Sequence, residues 1–86
     1  MKQLTIFADF NNADILGRIR LNTAGSLDDV KNKMITLKNG LQLIVDDDDG
    51  LTAHATVEFS KEEKIWVAKI DWKELNTDIP PVRRSL

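Results

Sequence analysis

Apolar and polar residues alternate along most of this chain, a pattern that predicts a protein built mainly from β-strands. The clearest alternating segments cover residues 51–59 and 65–72. Shorter ones cover residues 3–10, 15–21, 35–38 and 41–45. The first two short segments are separated by residues 11–14, Asn-Asn-Ala-Asp, which are mostly turn-forming residues. We therefore expect strands one and two to form a hairpin.

One short helix is predicted between the second and third strands. Ser26 is a suitable N-cap, and Asp28 and Asp29 would lie in the first turn, where negative charge stabilises a helix. Leu27 and Val30, together with Met34, would share one helical face. A helix of about two turns is not stable alone in water, so this one must pack against the sheet.

Five to six short strands and one helix favour a small antiparallel SH3-like barrel that is partly open, because closing a sheet removes its exposed edges. A helix lying on a curved antiparallel sheet (an α+β fold) is the alternative. The length of 86 residues fits one domain, assigned here to residues 1–76. Residues 77–86, which include Pro80-Pro81 and Arg83-Arg84, are predicted to be a flexible tail.

The composition limits the possible functions. The chain has no cysteine, so disulfides and thiolate metal sites are excluded. Its net charge of −2 argues against nucleic-acid binding as the main role, since phosphate neutralisation needs a basic surface. The sequence shows neither a signal peptide nor an apolar stretch long enough to span a bilayer. We expect a cytoplasmic protein.

Two features invite a metal or catalytic interpretation. The run Asp46–Asp49 followed by Gly50 resembles part of a calcium loop, but an EF-hand register places Val45 and Thr56 at positions that require carboxylates. A solvated acidic loop is the favoured interpretation. His54, the one histidine, is predicted to lie on the outer face of a strand without a paired nucleophile. The sequence therefore predicts no catalytic residue, no metal and no cofactor.

Four residues are candidates for contact with a partner. Phe7 would be exposed if the sheet is covered on one side only, and would belong to the core if strand one is covered on both sides. Trp72 would lie at the end of the last strand. Trp66, on the same face as Trp72, is expected in the core. Arg18 and Arg20 would point the same way and could form a basic face, although cross-strand pairing with acidic residues such as Glu58 or Asp71 is favoured.

Several stretches together resemble a group of short, uncharacterised bacterial proteins. They are Asp9–Asp14, Gly17–Asn22, Asn39–Leu41, Val57–Ser60, Glu62–Ala68 and Ile70–Trp72. The resemblance covers most of residues 4–72 and implies a bacterial, cytoplasmic origin. It implies no activity and no cofactor.

The sequence favours a non-catalytic β module that binds a protein or peptide partner. The alternative is a small β-barrel that binds nucleic acid through Arg18, Arg20 and nearby lysines.

Overall fold

Short strands and one helix make up residues 4–77, which are the residues that the computed structural model describes. The elements are β1 (Thr5–Phe7), β2 (Ile19–Arg20), α1 (Ala24–Asn32), β3 (Gln42–Asp46), β4 (Leu51–Ser60), β5 (Ile65–Ile70), a 3₁₀ turn (Trp72–Glu74) and β6 (Asn76–Thr77). The fold is mainly β with one short helix, as the sequence predicted. The segment 35–38 is irregular rather than a strand, although Ile35 and Leu37 still pack against the core.

A mixed sheet with the strand order β1-β3-β4-β5-β2 curls into a partly open barrel. β4 is the central strand, and β3 and β5 pair antiparallel with its two edges. β6 pairs with Leu51 and Thr52 at the start of β4, on the same edge as β5, whose pairing begins only at Ala55. Long β4 therefore has a partner along both edges for most of its length.

The predicted hairpin of strands one and two is wrong. β1 pairs in parallel with β3, and β2 pairs antiparallel with β5 at the other end of the sheet. The two segments separate because each finds a longer strand to pair with and places a buried isoleucine, Ile6 or Ile19, in the core. The sequence placed Thr77 in the tail, but this residue belongs to β6 and pairs with Leu51 of β4. The rest of the predicted tail lies outside the described residues.

The core fills the concave side of the sheet. β4 contributes alternate residues, as its pattern predicted, and they are small: Ala53, Ala55 and Val57. The other buried apolar residues in this cluster come from the remaining strands and their flanking segments: Ile6, Ala8, Phe10, Ile19, Leu21, Leu43, Val45 and Ala68.

Helix α1 begins three residues earlier than predicted, at Ala24, and a different residue caps it. Thr23 Oγ1 accepts a hydrogen bond from the Ser26 amide (3.1 Å), so Thr23 is the N-cap. Ser26 lies inside the helix, fully buried, and donates to the carbonyl of Phe7 (2.6 Å). The predicted apolar face is not the packed one, since Leu27 and Met34 are exposed. The helix contacts β1 mainly through small and polar residues.

Candidate functional site

A tight turn at Asp14–Gly17, called the tip below, is held together by one carboxylate. The Gly17 amide donates to the Asp14 carbonyl (2.9 Å), and Asp14 Oδ1 accepts from the amides of Leu16 (2.9 Å) and Arg18 (2.8 Å). Gly17 has a φ of +80°, which glycine adopts without steric cost. The tip backbone is therefore fixed by local hydrogen bonds.

Two large apolar side chains project from the tip. Ile15 is 97% exposed and Leu16 is 69% exposed. Burying either one would stabilise the fold by roughly 1.5–3 kcal/mol, a large amount for a domain with a modest core. The two side chains together form a small exposed apolar patch on a turn whose backbone is fixed.

The sequence interpretation missed the tip because alternation of apolar residues placed Ile15 and Leu16 in a strand. A signal was present. Asp at the first position and Gly at the fourth are the preferred residues of a type I turn, and Asp14 and Gly17 have this spacing.

Arg18 ties the tip to the sheet. Its Nε donates to Asp14 Oδ2 (2.8 Å) and its Nη1 donates to Glu58 Oε2 on β4 (2.7 Å). Burial favours the protonated form of Asp14, but hydrogen bonds from Arg18 and from the Leu16 amide outweigh it and hold the pKa of Asp14 below its usual value. The hydrogen bond to Glu58 is the main cause that raises the pKa of Arg18.

Arg20 of β2 is held in the same way, by Glu63 on the loop between β4 and β5. Its Nε and Nη2 donate to the two carboxylate oxygens of Glu63 (2.7 and 2.8 Å), and Nη1 donates to the Ala13 carbonyl (2.9 Å). The hydrogen bond from Arg20 lowers the pKa of Glu63. Both arginines of the predicted basic face thus lie against carboxylates. Glu58, which the sequence offered as a cross-strand partner, is the partner of Arg18.

Trp72 contacts the tip through a hydrogen bond to its last residue, Gly17. Its indole Nε1 donates to the Gly17 carbonyl (2.8 Å), and its ring meets the edge of Phe10 with centroids 6.2 Å apart. Trp72 remains 43% exposed, so part of the ring belongs to the same surface as the tip. Trp66 is half-buried against the core and packs edge to face with Phe59, with centroids 5.1 Å apart.

A cleft of about 180 Å³ separates the tip from the β4–β5 loop. Ile15 and Leu16 form its apolar wall, Glu62 and Glu63 form its acidic wall, and Arg18 lines it between them. Glu62 is largely exposed, and its carboxylate lies 3.9 Å from Arg18 Nη2, farther than the two direct partners of that guanidinium. The cleft therefore offers one carboxylate that is only weakly engaged.

Phe7, the remaining candidate, is not on an open face. The residue is half-buried, and a Cβ added at Gly25 of α1 would lie 2.6 Å from its ring. The helix therefore covers part of Phe7, which agrees with the alternative in which strand one is covered on both sides. The sequence could not show which strand the helix would cover.

The acidic run forms a loop whose carboxylates bond to its own backbone. Asp46 Oδ1 accepts from the Asp48 amide (2.7 Å), and Asp47 Oδ1 accepts from the amides of Asp49 (2.8 Å) and Leu51 (3.0 Å). Such bonds stabilise a turn. Among residues 4–77, no three histidine, aspartate or glutamate side chains are grouped closely enough to hold a metal ion.

His54 is exposed on the outer face of β4, beside an open polar groove of about 430 Å³. Asp71, Lys73 and Glu74 also line this groove. No nucleophile accompanies the histidine there among the described lining residues, so the groove presents charge without a paired acid–base and nucleophile arrangement.

Comparison of the chain with protein-family models, with curated proteins and with solved structures gave no match. Within the described part of the chain, the one α-helix is too short to cross a membrane.

Proposed function

We propose that this chain is a non-catalytic binding module that holds a protein partner through the tip, with Trp72 and Arg18 flanking the contact. The observation that carries the proposal is the exposure of Ile15 and Leu16 on a turn fixed by Asp14. A rigid turn loses little conformational freedom on binding, so burial of its apolar side chains contributes more fully to affinity.

The surroundings of the tip define the chemistry of the partner. Four carboxylates (Asp14, Glu58, Glu62 and Glu63) lie around two arginines, and Glu62 has the longest of the ion-pair distances. The cleft combines an apolar wall with the weakly engaged carboxylate of Glu62, which suits the aliphatic stem and cationic head of a lysine or arginine. The partner is therefore a protein with an apolar pocket for the tip and a basic residue beside it.

The proposed fold family and cellular compartment are those that the sequence predicted. We propose an SH3-like module of the bacterial cytoplasm, supported by the short strands of a partly open barrel and by the resemblance described above. The parallel pairing of β1 with β3 distinguishes it from an all-antiparallel barrel.

The test identifies a partner by contact and then measures its affinity. Photo-leucine at position 16 should cross-link to a host protein, whereas photo-leucine at the exposed position 27 on α1 should not. The Ile15→Ser/Leu16→Ser variant should then bind the purified partner at least about 30-fold more weakly, as expected for loss of hot-spot side chains. Its urea midpoint should match that of the wild type.

The matched control is Leu27→Ser/Met34→Ser, which removes two other exposed apolar side chains, one in α1 and one just after it. This variant should keep full affinity. Equal affinity of the tip variant and the wild type would refute the proposal. Glu62→Lys tests the basic residue of the partner separately, because it should weaken binding while leaving the apolar contact in place.

A further inference from the structure

The outer edge of β1 is closed by side chains of α1 instead of by a strand. Asp29 Oδ2 accepts from the Phe7 amide (2.7 Å), Ser26 Oγ donates to the Phe7 carbonyl (2.6 Å), and Lys33 Nζ donates to the Thr5 carbonyl (2.6 Å). An uncovered edge strand would present these groups to other chains. α1 supplies the same pattern of acceptors and donors that an added strand would supply.

The attachment of α1 is mainly polar. Within this fully described helix, Ser26 is the buried residue, whereas Leu27 is 54% exposed. Val30 packs only partly against the core, and the Phe7 ring rests on Gly25, which has no side chain. Elements with few buried apolar contacts open locally at lower free energy than the core strands.

We infer that α1 is a hinged cover, which opens as a unit while β3, β4 and β5 remain folded. Opening breaks the hydrogen bonds that Ser26, Asp29 and Lys33 make with β1 and uncovers both the backbone edge of β1 and the ring of Phe7. In the closed state Phe7 is half-buried under α1, so contact with its whole ring requires this opening. The inference is independent of the tip, which lies on a different segment.

Hydrogen exchange of the full chain, followed by NMR at low urea concentrations, tests the cover directly. The Lys33 and Ile35 amides, which bond to Asp29 and Val30, should exchange through the same opening as the Phe7 amide. That opening should occur at least about tenfold more often than the one that exposes the Val57 amide, which bonds to Leu41 in the central sheet.

Ser26→Ala provides the decisive variant, because it removes the hydrogen bond to the Phe7 carbonyl without adding bulk. It should raise exchange of the α1 and Phe7 amides about five- to thirtyfold and leave the Val57 amide unchanged. Asp28→Asn, at an exposed position of the same helix, is the control and should change neither group. Exchange of α1 and β4 amides at one common rate, or an equal effect of Ser26→Ala on both, would overturn the inference.

Discussion

The carboxylate of Asp14 accepts hydrogen bonds from both the backbone amide and the guanidinium Nε of Arg18, each at 2.8 Å. One side chain thereby closes the tip and orients the arginine that reaches Glu58. Local turn geometry and long-range attachment of the tip to the sheet depend on the same residue.

Replacement of Asp14 by alanine should lower the free energy of unfolding by about 2–3 kcal/mol, since charge-assisted hydrogen bonds are lost and buried donors lose their acceptor. Urea denaturation would show a lower midpoint with an unchanged slope. Asp28→Ala, which removes an exposed aspartate from α1, should change the midpoint little. A midpoint shift for Asp14→Ala no larger than that of this control would contradict the account of the tip.

Acidification should weaken the fold through Asp14 and Glu63. Both have lowered pKa values in the folded state, so their stabilising effect is complete above the unfolded values near pH 4 and is lost as the pH falls through the folded values. The urea midpoint of the wild type should fall between about pH 5 and about pH 2. Glu63→Gln should show a shallower fall.

The contact between α1 and β1 can be tested at Gly25. Alanine normally favours a helix over glycine by up to about 1 kcal/mol. Here the added Cβ would lie 2.6 Å from Cδ2 of Phe7, and such overpacking costs about 1–3 kcal/mol. Gly25→Ala should therefore destabilise the protein in thermal unfolding. Asn32→Ala, at an exposed position of the same helix, should be neutral or stabilising, and similar gains for both variants would mean that Phe7 does not pack on Gly25.

Met34 offers a route to greater stability. It has a φ of 55° just after the end of α1, where the Ile35 amide bonds to Val30 (2.9 Å) and the Met34 amide bonds to Lys31 (3.2 Å). Glycine is the preferred residue at this position because it has no side chain to strain the left-handed conformation. Met34→Gly should raise stability by about 1 kcal/mol in urea denaturation, whereas Met34→Ala should give no such gain.

The sequence predicted the parts of the fold that depend on local alternation. β4 and β5 were recognisable because their residues alternate, and the turn at Asn39 and Gly40 follows from its residue types. Strand pairing was less accessible. The parallel contact of β1 with β3 joins segments far apart in sequence, and nothing within residues 3–10 distinguishes it from a hairpin with the next strand.

The N-cap of α1 also depends on a contact that the local sequence does not reveal. Both Thr23 and Ser26 are good N-caps by propensity. Ser26 enters the helix because its hydroxyl bonds to Phe7 on another element, a contact that only the tertiary structure determines. Likewise, the sequence identified Arg18 and Trp72 as candidate contact residues. That both contact the tip depends on how β2 and the 3₁₀ turn are placed.

The backbone of the tip is maintained by Asp14, Gly17 and Arg18, and not by the side chains at positions 15 and 16. Those two positions are consequently uncoupled from folding, and their identity can drift at little thermodynamic cost. Under the proposed binding function, two substitutions would be enough to retarget the scaffold. A combinatorial library at positions 15 and 16 would then sample new specificities on an unchanged framework.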